Sequence, residues 1–146
     1  MTLPTTIDAV KDEFDAVEEL GSFDAYNERM GLLRRLGEAL EPMPEVLKTE
    51  ENQVPGCASK VWVYPLPIST SDQLHFHADS TTGITKGIIA LILMVVQGKS
   101  AEEVLATDIE QELEPLHLQQ HFSSLRTSGL KNMVLKIRET AARLAA

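Results

Sequence analysis

Residues 53–80 read QVPGCASKVWVYPLPISTSDQLHFHADS, and how this stretch folds decides the architecture of the chain. The run SKVWVY at 59–64 is β-branched and aromatic, which is the composition of a strand. Pro65 and Pro67 lack amide donors and confine the end of that strand to a sheet edge or a loop. Residues 69–72 are turn formers, and QLHFHADS at 73–80 returns as a second strand. An antiparallel hairpin is therefore expected in the middle of the chain.

Helical patterns lie on both sides of it. Thr5 or Thr6 can cap a first helix, with Asp8, Asp12 and Glu13 near its positive end. Ile7, Val10, Phe14, Val17 and Leu20 step by three or four and give it one apolar face, and Gly21 ends it. Ser22 is expected to cap a second helix, with Phe23, Tyr26, Met30, Leu33, Leu36 and Leu40 facing inward. The prolines at 42 and 44 stop that helix. After the hairpin, residues 88–96 are nine unbroken apolar residues, IIALILMVV. A membrane span needs about 20, so this is a buried core helix, running from Thr85 to Gly98. Residues 100–103, SAEE, resemble a capped short helix. A broken helical stretch interrupted by Pro115 leads to Phe122. A closing amphipathic helix over 127–145 turns Leu130, Met133, Val134, Ile137, Ala141 and Leu144 inward. Helices, a small antiparallel sheet, then helices again make an α+β fold, expected as a single domain over residues 1–146.

Composition limits the partners. Hydrophobic residues make up 43 % of the chain, enough for a core. The net charge of −9 argues against nucleic acid and anionic membrane surfaces. Residues 1–56 carry 13 acidic and 5 basic side chains, whereas residues 57–98 carry two of each. One cysteine excludes an internal disulfide framework and any site built from several thiolates, and points to a reducing, cytoplasmic compartment. The N-terminal residues lack the pattern of a secretory or transit signal.

That one thiol, Cys57, opens the neutral section. A lone cysteine is most often a small buried hydrophobe. Here Pro55 stiffens the approach, Gly56 gives backbone freedom, and Ala58 and Ser59 are small, so the thiol reads as presented to another molecule. A conventional cysteine nucleophile needs a positioned base, and none stands out. His75 and His77 share one face of the second strand but show no obvious third metal ligand. His117 and His121 have helical i, i+4 spacing without the rest of a zinc-enzyme motif. No metal site is assigned to any of them. GITKG at 83–87 lacks the spacing of a phosphate loop and reads as helix packing.

Three blocks resemble the SufE-type sulfur-acceptor proteins of iron–sulfur cluster assembly. VPGCASKVWV is similar to the family's G-C-x-S-x-V-W acceptor motif. ADSTTGITKGIIALI is similar to its D-S-x-x-x-I-x-K-G-hydrophobic segment. LQQHFSSLRTSGLKNMVLKIRETA is similar to its closing helix with Q-H, R-x-x-G-L. Together they run from about residue 53 to 143 in family order. The resemblance implies a SufE/IscU-like fold. It implies that Cys57 accepts a persulfide sulfur from a pyridoxal-phosphate cysteine desulfurase of the SufS kind, that the chain activates that desulfurase, and that the sulfur passes to a SufB-like cluster scaffold. It places Gly56, Ser59, Asp79 and Arg126 as partner or loop support. The chain itself would hold no cofactor, carry out no turnover chemistry beyond sulfur transfer, and be a monomer or weak homodimer. Two other functions compete: an IscU-like cluster scaffold, which would need several thiolates, and a redox-sensing thiol protein, for which no activating motif appears.

Overall fold

A computed structural model describes residues 2–67, 72–122 and 124–145, with the side chains of residues 67 and 124–127 outside that description. Its elements in chain order are α1 (Ile7–Ala16), α2 (Ser22–Glu38), β1 (Val61–Pro67), β2 (Leu74–Ser80), α3 (Gly83–Val96), α4 (Ala101–Ala106), α5 (Ile109–Leu113) and α6 (Ser124–Ala145). Short 3₁₀ turns join several of them. The architecture is α+β, as the hairpin requires.

β1 and β2 pair antiparallel, from Val61 opposite Ser80 to Pro67 opposite Leu74. The first strand thus continues through both prolines instead of stopping at Tyr64. Its hydrogen bonds explain the tolerance. Val63 donates its N–H to the Asn52 carbonyl at 2.9 Å, on the side away from β2. Pro65 and Pro67 follow at a period of two and face the same way, so their missing N–H groups leave the β1–β2 ladder intact. The expected turn at 69–72 lies mostly outside the described residues. The other edge is closed by a side chain: Gln97 accepts from the Phe76 N–H at 2.7 Å and donates to the Phe76 carbonyl at 3.1 Å. That amide mimics a third strand for one residue.

α3 is the centre of the core. Leu91, Ile92 and Val96 are sealed from solvent, and Phe76, Leu33 and Ile137 reach the same cluster from β2, α2 and α6. α2 crosses α3 where two glycines remove their side chains. A Cβ on Gly87 would collide with the backbone carbonyl of Leu33, and one on Gly37 would lie 2.6 Å from Lys86 Cβ. The second glycine of GITKG therefore serves helix packing. No helix among the described residues is long and apolar enough to cross a membrane.

Some expected details shift. Thr6 does cap α1, its hydroxyl accepting from Ala9 N at 3.1 Å. α1 stops at Ala16, and Leu20 falls on a following 3₁₀ turn, exposed to solvent. Ser22 does not cap α2: Gly21, at φ +88°, holds the cap position and Ser22 is the first helical residue. Phe23 and Tyr26 point outward, because the close approach at Gly37 turns Ala25, Met30, Leu32, Leu33 and Leu36 toward the core. At the other end of the chain Leu144 is exposed. Ser100 forms the expected capping box with Glu103.

Candidate functional site

The segment before β1 pairs with it for one residue, Gln53 opposite Trp62. Val54 N donates to Val61 O at 2.8 Å. Residues 55–60 are therefore a closed turn between two hydrogen-bonded stretches, and Cys57 sits on it. Gly56 adopts φ +75°, which L side chains rarely take. Any Cβ there would also run into the Asn132 side-chain amide. Only glycine fits.

α6 braces this turn from one face. Asn132 Nδ2 donates to Gly56 O at 3.2 Å, and Lys136 Nζ donates to Glu51 O at 2.8 Å. Gly129, one turn earlier, leaves room for the thiol. Cys57 Sγ lies 3.6 Å from Gly129 O and donates to it. The thiol is half-buried, with α6 packed against it at Gly129. Burial pushes the Cys57 pKa up.

Beside the thiol is a cavity of about 240 Å³. Ile88 and Met133 give it an apolar wall, and Ser59, Thr81, Thr82 and Thr85 line it with hydroxyl-bearing side chains. Three of those hydroxyls bond to one another. Ser59 Oγ lies 3.1 Å from Thr82 Oγ1 and 3.2 Å from Thr85 Oγ1, and Thr82 donates to Thr85 at 2.7 Å. They tie the Cys57 turn to the first turn of α3.

The sequence-derived candidates do not all converge. Cys57 and Ser59 share the cavity, and Gly56 shapes the turn below it. Asp79 is not among the cavity's lining residues. It sits opposite Trp62 in the hairpin, 2.9 Å from Lys48 Nζ and 3.4 Å from Lys86 Nζ, and accepts from Ser80 N at 2.8 Å. Burial alone would raise its carboxyl pKa, but the Lys48 and Ser80 hydrogen bonds and the two lysine charges hold it below the ordinary range. Arg126 lies in the first turn of α6; its side chain is outside the described residues. Gly129, Asn132, Lys136, Thr82 and Thr85 were missed. The first three had a signal, since positions 129, 132 and 136 share one helical face.

The histidines also differ from expectation. His117 takes φ +50° between two 3₁₀ turns, so the helical i, i+4 pair with His121 does not form. His75 and His77 do find a third group: Glu41 Oε1 lies 3.0 Å from each.

A half-buried thiol on a braced turn, in a domain of helices packed on a two-stranded sheet, defines the class: an α+β protein that holds its one cysteine beside a small cavity. The chain matches SufE, the Fe-S metabolism associated domain, over residues 14–141, and it belongs to that family. It is 33 % identical over 139 residues to an uncharacterized SufE-like protein of Rhizobium meliloti (strain 1021), covering 94 % of this chain and 95 % of the other. An uncharacterized SufE-like protein of Rhizobium etli is likewise 33 % identical, over 127 residues and 86 % of each chain. In fold it is similar to the solution structure of a hypothetical protein from Thermus thermophilus, with a TM-score of 0.69 and 18 % identity over 99 % of this chain and 98 % of that one. Association with iron–sulfur metabolism follows from the family.

Proposed function

We propose that the chain is a sulfur carrier and activator for a pyridoxal-phosphate cysteine desulfurase of the SufS kind, and that it delivers the sulfur to a SufB-like scaffold. The observation that carries this reading is the placement of the sole thiol on a braced turn, at a cavity with room for additional sulfur.

The Cys57 thiolate attacks the outer sulfur of the desulfurase's cysteine persulfide. The S–S bond of that persulfide breaks, the desulfurase thiolate leaves, and a new S–S bond forms on Cys57. No external oxidant or reductant enters, because the sulfur moves with its oxidation state unchanged. The same exchange in the opposite sense unloads it onto an acceptor thiolate. A lone cysteine suits this role, since a second nearby thiol would resolve the persulfide to a disulfide and release sulfide. Burial pushes the resting thiol toward its protonated form, and docking that uncovers it makes it more reactive, which couples reactivity to the partner.

Incubation with a cysteine desulfurase and free cysteine tests the reading. The protein gains mass in steps of one sulfur, reversibly on reduction, and accelerates cysteine turnover. Cys57→Ser folds and binds the desulfurase but gains no sulfur. Equal stimulation by the serine variant under reducing conditions would leave only an allosteric role. Arg126→Ala, in the first turn of the bracing helix, reduces stimulation while the melting temperature stays near that of the parent. Full stimulation would remove Arg126 from the site.

A further inference from the structure

Away from the thiol, Glu41, His75 and His77 converge on one point. Leu74, Phe76, Ala78 and Ser80 take the buried face of β2, so His75 and His77 project together from the other. Glu41 follows the end of α2, and its Oε1 lies 3.0 Å from His75 Nε2 and 3.0 Å from His77 Nδ1. The three ligand atoms all lie within 4.8 Å of one another. The two imidazoles stand nearly perpendicular, at 82°, with centroids 5.2 Å apart. Donors at about 2.0–2.2 Å from a tetrahedral zinc ion stand roughly 3.3–3.6 Å from each other, so the two 3.0 Å Glu41–histidine separations need to open by only a few tenths of an ångström.

Hydrogen bonding leaves part of this cluster unexplained. His75 Nε2 is hydrogen-bonded to Glu41. His77 Nδ1 is buried and makes no hydrogen bond, because the approach of Glu41 lacks the geometry for one. A buried polar nitrogen without a partner is rare and costs stability. It lies within 4.8 Å of the ligand atoms of Glu41 and His75, close enough for one ion to be shared among the three.

We propose that Glu41, His75 and His77 form a binding site for a divalent transition-metal ion of the zinc class. Two imidazole nitrogens and one carboxylate oxygen are the protein ligands, and the exposed side, where Glu41 is 55 % and His75 35 % accessible, leaves a position for water. The ion fastens the chain just after α2 to β2, far along the sequence.

The Cys57→Ser chain, which lacks the competing thiol, is titrated with zinc by calorimetry and melted at increasing zinc concentration. One ion binds per chain, and the melting temperature rises with zinc as expected for a ligand of the folded state. Glu41→Gln and His75→Ala alter exposed side chains, so far-UV circular dichroism should show both folded. Each weakens zinc binding by about tenfold or more and reduces the thermal shift at a given zinc concentration accordingly. Absence of binding by Cys57→Ser would overturn the proposal, because Glu41, His75 and His77 are all intact in that chain. Unchanged affinity in Glu41→Gln and His75→Ala would overturn it equally. If one variant fails to fold, the other decides.

Discussion

Cys57 and Gly129 are 72 residues apart in sequence, yet the thiol lies 3.6 Å from the glycine carbonyl. The contact sets how large position 129 can be. A Cβ there would meet Sγ at 3.6 Å, an ordinary van der Waals distance. Gly129→Ala should therefore fit and, at a helix-interior position, raise stability by about 0.5–1 kcal/mol. Gly129→Leu has no such room. It should displace the turn and raise the rate at which an aromatic disulfide reagent labels Cys57. Labelling of the leucine variant at the parental rate would mean that α6 does not control access to the thiol.

Burial of Cys57 gives a pH signature. Its pKa is raised in the folded state, so the alkylation rate should still be climbing above pH ~8.5, where a free cysteine is half ionised. In denaturant the midpoint should return to about that value. The sign for stability follows: the contribution is fully present below the unfolded pKa and is lost as pH rises through the folded one. Cys57→Ser should show a flatter loss of stability in that alkaline range. A folded-state midpoint at or below pH ~8.5 would contradict a desolvated thiol.

The hairpin, α3 and the bracing helix were legible because hydrophobic period, β-branched runs and turn residues act locally. Gly56 was legible as a turn glycine. The Ser22 cap failed because Gly21 took the cap position itself. Phe23 and Tyr26 failed for a different reason: the buried face of α2 was fixed by Gly37 against α3, a contact between distant residues that periodicity cannot rank. The same limit hid Asn132, which finds Gly56 from 76 positions away, and Glu41, which reaches the two histidines only after α2 has packed. Arg126 and Asp79 could be placed on motif blocks, but spacing alone says nothing about which side of the hairpin a charge occupies.

Gly87→Ala reverses the usual helix preference. Alanine in a helix interior is ordinarily favoured over glycine by about 1 kcal/mol. Here the added methyl meets the Leu33 carbonyl, which is backbone and cannot rotate away. The variant should lose about 1–3 kcal/mol, the usual cost of overpacking. Denaturant unfolding measures it, and a gain in stability would show that α2 and α3 can separate freely.

Leu91→Ala tests the centre of the core. Leu91 is 0 % exposed and belongs to the main cluster. Truncation should cost about 2–5 kcal/mol, the range for a leucine removed from a site that relaxes only partly. A change within error would place α3 at a surface and reopen the assignment of residues 88–96.

Asp79 tests whether a motif carboxylate serves the fold or a partner. It links Lys48, Lys86 and the Ser80 N–H, and its side chain is 18 % exposed. Asp79→Asn keeps the shape and removes the charge, so at pH 7 it should cost about 1.5–3 kcal/mol, the range for hydrogen bonds to charged groups. The sign with pH is fixed by the direction of the shift. The folded pKa is lowered, so the stabilisation is present above the unfolded value, about 3.9, and is lost as pH falls through the folded one. Parent and variant should therefore converge under strong acid, where both side chains are neutral. Urea unfolding at neutral and acidic pH reads the difference directly. Equal stability at pH 7, with desulfurase stimulation lost, would instead assign Asp79 to the partner surface.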